Sequence, residues 1–450
     1  MLPLLIFASP AVANEAWRLD SAFGLPDGFS LSGTFRARYE SLDSQFRAGR
    51  LGGDQIFVIR STLKAAISQG PLSLVGELAD SRAALDDLGT PISTTMVNPL
   101  ELLQGHLQWR VEDIFNTGGV SLLRAGRMTM DVGSRRFVAR NRYRNTSNAF
   151  SGVDWQWRSG NGRRFRAFYT LPVNRKPSSV TKLRANDVEF DEESTDVAFW
   201  GIFIAEKLSW GDQAEFYYFG LDEEDSNGRR TRNRELTTLG MRLIRGPSSS
   251  GIDYQIESTL QFGVSRPSSA SVNLVDLDHF AHFHHVELGY TFGGRSYRRL
   301  IAQFDYASGD DDPTDGNNER FDTLFGARRF DFGPTSIFGP FARSNLITPG
   351  LRLQLKPSLK TTSFIAYRAY WLASDRDAWT TSGVRDVTGG TGQFIGQQVE
   401  IRVRWNVIPN NVRLEAGVAH LFSGEFINEA SNSDRQGDST YAYSQIALTF

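Results

Sequence analysis

Residues 29–40 read FSLSGTFRARYE, and the two interleaved halves of that stretch have opposite character. Phe29, Leu31, Gly33, Phe35, Ala37 and Tyr39 fall on one side; Ser30, Ser32, Thr34, Arg36, Arg38 and Glu40 fall on the other. Alternation with a period of two describes a β-strand with one apolar and one polar face. A soluble sandwich packs the apolar face on a core. An outer-membrane barrel turns it to lipid and lines water with the other.

The same alternation recurs down the chain. It predicts strands at Gln55–Ile67, Leu72–Arg82, Glu101–Asp113, Val120–Met130, Phe150–Arg158, Arg163–Val173, Thr195–Leu208, Asp212–Leu221 and Arg234–Arg245. Further strands are predicted at Ile252–Val264, His279–Phe292, Arg298–Ala307, Leu346–Lys356, Thr361–Leu372, Gly396–Ile408, Val412–Ser423 and Thr440–Phe450. With the first, the count is about eighteen, and single-chain antiparallel barrels take even numbers. The connections alternate too. Gln69-Gly70, Ser159–Gly162 and Pro409–Asn411 are short, whereas Ala83–Leu100, Asp131–Ala149, Asn174–Ser194, Ser308–Asn345 and Ser374–Ile395 are long and polar. Short periplasmic turns and long extracellular loops mark an outer-membrane barrel; a sandwich has no reason to keep that parity. Trp155, Trp157, Tyr254, Tyr290, Tyr367, Trp371 and Trp405 fall on outward rows, where interfacial aromatic girdles sit, and the chain ends on an outward Phe450. The expected fold is all-β: a transmembrane antiparallel β-barrel of about eighteen strands.

Composition agrees. The 450 residues show no linker and no compositional shift, which points to one domain over residues 14–450. Cysteine is absent, and the formal net charge of −2 argues against a nucleic-acid-binding surface. Leu2–Val12 is an apolar run ending in Ala11-Val12-Ala13, a small-x-small cleavage pattern, so residues 1–13 read as a signal peptide lacking the usual positive n-region. No later stretch has the eighteen apolar residues of a membrane helix, so a span has to be a closed barrel.

The inward rows then carry the function. Arg36, Arg38, Arg60, Lys64, Arg110, Arg158, Arg164, Arg166, Arg242, Arg352, Lys356, Arg368, Arg402, Arg404 and Arg413 fall there. So do Glu40, Glu77, Glu112, Asp154, Glu215, Glu257, Glu287, Asp305, Glu400 and Glu415. Eighteen strands are expected to enclose water, and an excess of guanidinium groups favours anions. The same charges could instead pair across strands and simply furnish a solvated wall. In Asp131–Ala149 the arginines Arg135, Arg136, Arg140, Arg142 and Arg144 crowd one loop. It either folds inward as a constriction or faces anionic lipopolysaccharide, and the sequence leaves both placements open. Asp310, Asp312 and Asp315 are weak candidates for a loop calcium, because their order does not match a helical-hairpin calcium loop. Alternation sends His282 and His284 one way and His279 and His285 the other, which spoils a compact four-histidine site. No nucleophile elbow or phosphate-cradling glycine loop appears, so no enzyme is expected and no cofactor is called.

Two segments resemble the alginate-export family of outer-membrane barrels. One is Ala125-Gly126-Arg127-Met128, continuing through Gly133, Arg136-Phe137-Val138, Tyr143-Arg144-Asn145-Thr146 and Phe150-Ser151-Gly152-Val153. The other is Phe304-Asp305-Tyr306-Ala307-Ser308-Gly309-Asp310 followed by Phe321-Asp322-Thr323-Leu324-Phe325. The chain departs from the family pattern at Met128, Tyr143 and Ser151, where the family has glutamine, tryptophan and aspartate. The resemblance implies a monomeric eighteen-stranded barrel with an arginine-lined pore for an acidic polysaccharide. Position by position, it makes Arg127, Arg136, Arg144 and Asp305 pathway or constriction residues. The expected protein is thus a passive channel in the outer membrane of a Gram-negative bacterium, bedded in lipid and lipopolysaccharide. Its cargo is anionic, with uronate-type sugars first. The alternatives are a general diffusion pore and a closed barrel that binds through its surface loops.

Overall fold

The structure, a computed structural model, describes residues 16–226, 230–294, 296–434 and 437–450. The expected signal peptide lies outside the described residues. The strands are β1 (Phe29–Asp43), β2 (Asp54–Gln69), β3 (Leu72–Ala84), β4 (Asn98–Glu112), β5 (Val120–Met128), β6 (Phe150–Arg158), β7 (Arg164–Pro172), β8 (Val197–Lys207), β9 (Gln213–Glu223) and β10 (Glu235–Arg245). They continue as β11 (Gly251–Ser265), β12 (Leu277–Phe292), β13 (Tyr297–Ala307), β14 (Asn317–Asn318), β15 (Leu346–Ser358), β16 (Thr361–Trp371), β17 (Phe394–Ile408), β18 (Val412–Ser423) and β19 (Ser439–Thr449). Apart from β14, a two-residue ladder lying parallel to the start of β12, each strand pairs antiparallel with its neighbours in sequence. β19 pairs with β1 from Thr34 opposite Thr449 to Asp43 opposite Thr440, closing an eighteen-strand barrel with no free edge. Phe450 adds one more rung, exchanging backbone hydrogen bonds with Gly33.

The outward row is the apolar one of the sequence. Leu63, Ile67, Leu74, Leu107, Ile256, Leu260, Leu351, Ile401 and Val418 are exposed on it. The turn side of the barrel has only short connections, such as 70–71 between β2 and β3. The loop side carries the long ones. Four short helices fall between or before the strands: α1 (Leu19–Phe23) ahead of β1, and α2 (Val180–Ala185), α3 (Arg329–Phe332) and α4 (Glu425–Glu429) in loop-side connections.

The inward row changes character along its length. Near the turns it is polar, as expected. Towards the loops it becomes apolar on several strands: Ile56 and Val58 on β2, Phe199 on β8, Phe219 and Leu221 on β9 and Leu421 on β18 are buried inside. They pack against loop residues Phe137, Val138, Phe338, Phe341 and Trp379 to form two hydrophobic clusters within the barrel. The expectation of a lumen enclosing only water is therefore corrected: on the loop side the barrel has a packed core, because its loops descend into it. Close approach makes room for this filling. Gly240 on β10 lies under the ring of Tyr217, and any Cβ there would clash with it. The bare backbone lets Tyr217 reach over β10 to Glu257 (2.9 Å) and Thr259 (2.6 Å) on β11.

Candidate transport pathway

Loops 129–149 and 308–345 fold inward, which settles the two placements left open for the first of them. Arg36 on β1 donates to the carbonyls of Arg142 (2.9 Å), Tyr143 (3.0 Å) and Arg144 (2.9 Å) and to Asn145 Oδ1 (3.0 Å). Arg60 on β2 donates to the Arg144 carbonyl. The Asn145 amide donates to the carbonyls of Ile59, Arg82 and Met96, so one side chain ties the loop to β2, β3 and the 85–97 loop. From the other side, Arg352 on β15 donates to the Phe330 carbonyl, and Arg329 of α3 pairs with Glu400 on β17 (2.7 Å).

The loops meet at the barrel's centre. Val138 and Phe325 form a parallel bridge, and Phe325 N–H donates to the Phe137 carbonyl. The two segments that resemble the alginate-export family are thus one structural unit. Its ionic centre is Arg136, fully buried, which pairs with Asp331 through Nε and a second nitrogen (3.0 Å each) and with Glu257 (2.6 Å). Asp331 also accepts from Arg343. Burial pushes the Asp331 carboxyl up, but the two guanidinium charges outweigh it and hold it well below the usual carboxylate range. His285 Nε2 lies 2.9 Å from an Arg136 nitrogen, and its Nδ1 lies 2.7 Å from Asp305, which in turn accepts from Arg368 (2.8 Å). Arginine only donates, so here Nε2 accepts and the Nδ1 hydrogen faces Asp305.

Below this unit, towards the turns, lies a cavity of about 660 Å³. Ten basic side chains and only two carboxylates line it: Arg36, Arg60, Lys64, Arg135, Arg140, Arg142, Arg329, Arg402, Arg404 and Arg413 against Glu77 and Glu415. Tyr143 and Phe330 form part of its upper end. Arg140 pairs with Glu77 and Arg404 with Glu415. Lys64, Arg402 and Arg413 pair with no carboxylate among the described residues. A second cavity of about 460 Å³ adjoins β4 to β8, with Arg110, Arg158, Arg164 and Arg166 against Asp131.

The inward arginines therefore divide into two groups. Arg38 is fully buried, bonded to Glu40 (2.7 Å) and the Tyr143 carbonyl and stacked on the Tyr143 ring at 4.3 Å. Arg136, Arg352, Arg368 and Asp305 likewise belong to the loop anchorage. Arg166 is spent on Asp154 and the Asp131 carbonyl, and Arg242 on Glu215 (2.8 Å). Arg36, Arg60, Lys64, Arg402 and Arg404 line the larger cavity, Arg110 and Arg158 the smaller. Arg144 contributes its carbonyl to the anchorage; burial and the charges of Arg328 and Arg175 bring its guanidinium down to about 9.

Arg127 is a correction. It stands three residues from Arg124, whose partner Asp154 is inside, so it falls on the outward row opposite Gly105. Its guanidinium holds Glu101 and Glu193 at the loop-side rim, outside the pathway. Asp310, Asp312 and Asp315 do not converge. Asp310 is buried near Asp377, while Asp312 and Asp315 bond within their own turn. Among the described residues no group of three or more His, Cys, Asp or Glu is placed to hold a metal. Asp331, Arg329, Arg343 and Phe330 were missed by sequence reading; the run Arg328-Arg329-Phe330-Asp331 in a long loop was the available signal.

A closed eighteen-strand barrel with short turns, long loops and an apolar outer belt is the architecture of an outer-membrane channel. A sequence profile described as alginate export matches residues 28–439, and the chain belongs to that family. Solved barrels share the fold at low identity. OccD3 (OpdP) of Pseudomonas aeruginosa is 13% identical with a TM-score of 0.57, covering 98% of this chain and 96% of its own. OccAB1 of Acinetobacter baumannii is 12% identical with a TM-score of 0.57, over 94% and 97%. The outer membrane protein OprD of Pseudomonas aeruginosa is 13% identical with a TM-score of 0.53, over 94% and 93%. No curated protein sequence matches the chain.

Proposed function

We propose that this barrel is a passive pore for anionic solutes, with oligomers of uronate-type sugars as the leading class. The observation that carries this reading is the charge around the larger cavity, ten basic groups to two carboxylates directly under the inward loops. A guanidinium binds a carboxylate through two parallel hydrogen bonds and keeps its charge at any pH the cell meets. Lys64, Arg402 and Arg413 lack fixed carboxylate partners, so they are free to receive a solute's. Arg404 and Arg140 can exchange Glu415 and Glu77 for it. Several weak, equivalent stations let an anion enter and leave again, which a single tight site would prevent. No chemical step is required, and flux follows the concentration gradient in either direction.

The test is reversal potential across a planar bilayer under a salt gradient, repeated with oligouronate on one side. The expected result is chloride preference, with oligouronate block weakened by Arg402→Ala and by Arg404→Ala. Unselective, unblocked conductance would replace the reading with a general diffusion pore. Absence of conductance would favour a closed barrel, since the aromatic packing of Phe338, Phe341 and Trp379 fills the loop side.

A further inference from the structure

A pair of histidines stands on the outward face of the wall. On the outward row of β12, His282 and His284 stand on the loop side of Val286 and Leu288, between the apolar Phe280 and Val286. Residues two apart on a strand share a face, and here the rings converge until His282 Nδ1 and His284 Nε2 are 3.1 Å apart. Imidazole nitrogens bind zinc at about 2.0–2.1 Å, so two of them on one tetrahedral or square-planar ion are separated by roughly 2.9–3.4 Å. The pair already stands at chelating distance.

Both rings are held from neighbouring strands. His284 Nδ1 lies 2.9 Å from Ser258 Oγ on β11; with its hydrogen given to that oxygen, the Nε2 lone pair points towards His282. Tyr306 on β13 stacks on the His282 ring, centroids 5.1 Å apart and planes 14° from parallel. The His282 backbone N–H is fixed on Ser308 Oγ (3.0 Å). Hydrogen bonds and packing that orient ligand imidazoles are what metal sites use to set tautomer and direction.

We propose that His282 and His284 form a surface chelate for a divalent transition ion, Zn²⁺, Ni²⁺ or Cu²⁺, with its remaining positions open to water or an oxygen ligand. For both nitrogens to ligate, His282 carries its hydrogen on Nε2, so the ion takes the place of the hydrogen bond between the rings and neither neutral ring gives up a proton. Imidazole donors suit these metals, whereas calcium and magnesium require oxygen ligands. The site is on the opposite face of the wall from the pathway. The inward neighbours His279 and His285 are committed to Ser265 and to Asp305.

The experiment is titration calorimetry of the full-length barrel in detergent, purified without a histidine tag, with Zn²⁺, Ni²⁺ and Cu²⁺ salts in turn. The expected result is one ion per barrel for at least one of the three. Affinity should fall at least about tenfold in His282→Asn and in His284→Asn and stay unchanged in His279→Asn. It should also weaken between about pH 7.5 and pH 5.5, because protons compete for the ligands. Heat-modified mobility on gels confirms that each variant is folded. No saturable binding of any of the three ions, or binding that survives both substitutions, overturns the proposal. Channel conductance is indifferent to either result, so the metal site and the anion pore stand or fall separately.

Discussion

Replacing Asp331 by alanine should free the inward loops while leaving the barrel wall intact. The carboxylate is almost wholly buried and shared by two arginines, bidentate to Arg136 at 3.0 Å and bonded to Arg343. Arg136 would keep Glu257 (2.6 Å), and Arg343 only the carbonyls of Ala327 (2.9 Å) and Arg136 (3.3 Å). Removing one partner of a buried ion pair costs about 3–5 kcal/mol, because the remaining charge stays desolvated. That is roughly two to three and a half powers of ten in the equilibrium for local opening. The eighteen strands are joined by their own ladders and unfold at higher free energy, so the effect belongs to the loops. Limited proteolysis should show cleavage within 308–345 accelerated by at least tenfold, and single-channel records should show larger or noisier conductance. Gel mobility before and after heating should remain that of the wild-type barrel. If Asp331→Ala keeps both the protease resistance and the conductance of the wild type, the ionic centre does not hold the loops. Packing of Phe137 and Phe341 would then suffice.

Other consequences are local. Arg127→Ala should leave ion selectivity unchanged, since the side chain is on the outer row, while exposing loop 173–196 to protease through loss of Glu193 and Glu101. Asp191, in that loop, is pushed up to about 6 by burial and then by the charge of Glu101. Between its ordinary value of 3.8 and about 6, the folded loop keeps a proton that the opened loop releases. Its contribution to loop stability is therefore lost as pH rises through that window. Protection of 173–196 from hydrogen exchange should be greater near pH 4 than near pH 7 on this account, and Asp191→Asn should flatten the difference. Gly240→Val should drive Tyr217 off Glu257 and lower the thermal transition in detergent; combined with Tyr217→Ala it should add almost nothing, because the clash is then gone.

The wall was legible because lipid and water impose opposite demands on alternate residues. β6 and β18 begin and end where the alternation does, and the other long strands shift by only a few residues. What descends inside was not legible from the same signal. Arg38 and Arg368 look like any lumen arginine in a one-dimensional pattern, yet they are buried among loop carbonyls and carboxylates. Only the partner distinguishes them from Arg402, and partners come from segments far away in sequence. Arg127 differs for another reason: the family resemblance implies a pathway position, whereas its parity with Arg124 sets it on the outer row.

A sequence signal for the filled lumen did exist. Residues 55–59 read QIFVI and residues 197–205 read VAFWGIFIA, where the alternation gives way to continuous apolar runs. A strand apolar on both faces is buried on both faces. In a membrane barrel the outer face is covered by lipid, so the inner one has to be covered by protein. Phe199 and Ile56 are covered in this way, in the clusters built around Phe137 and Phe338. Near the turns Arg60, Lys64 and Arg164 resume the alternation, and there the cavities begin. On β2, the return of polar residues to the inward row at Arg60 and Lys64 marks where the packed loops give way to the larger cavity.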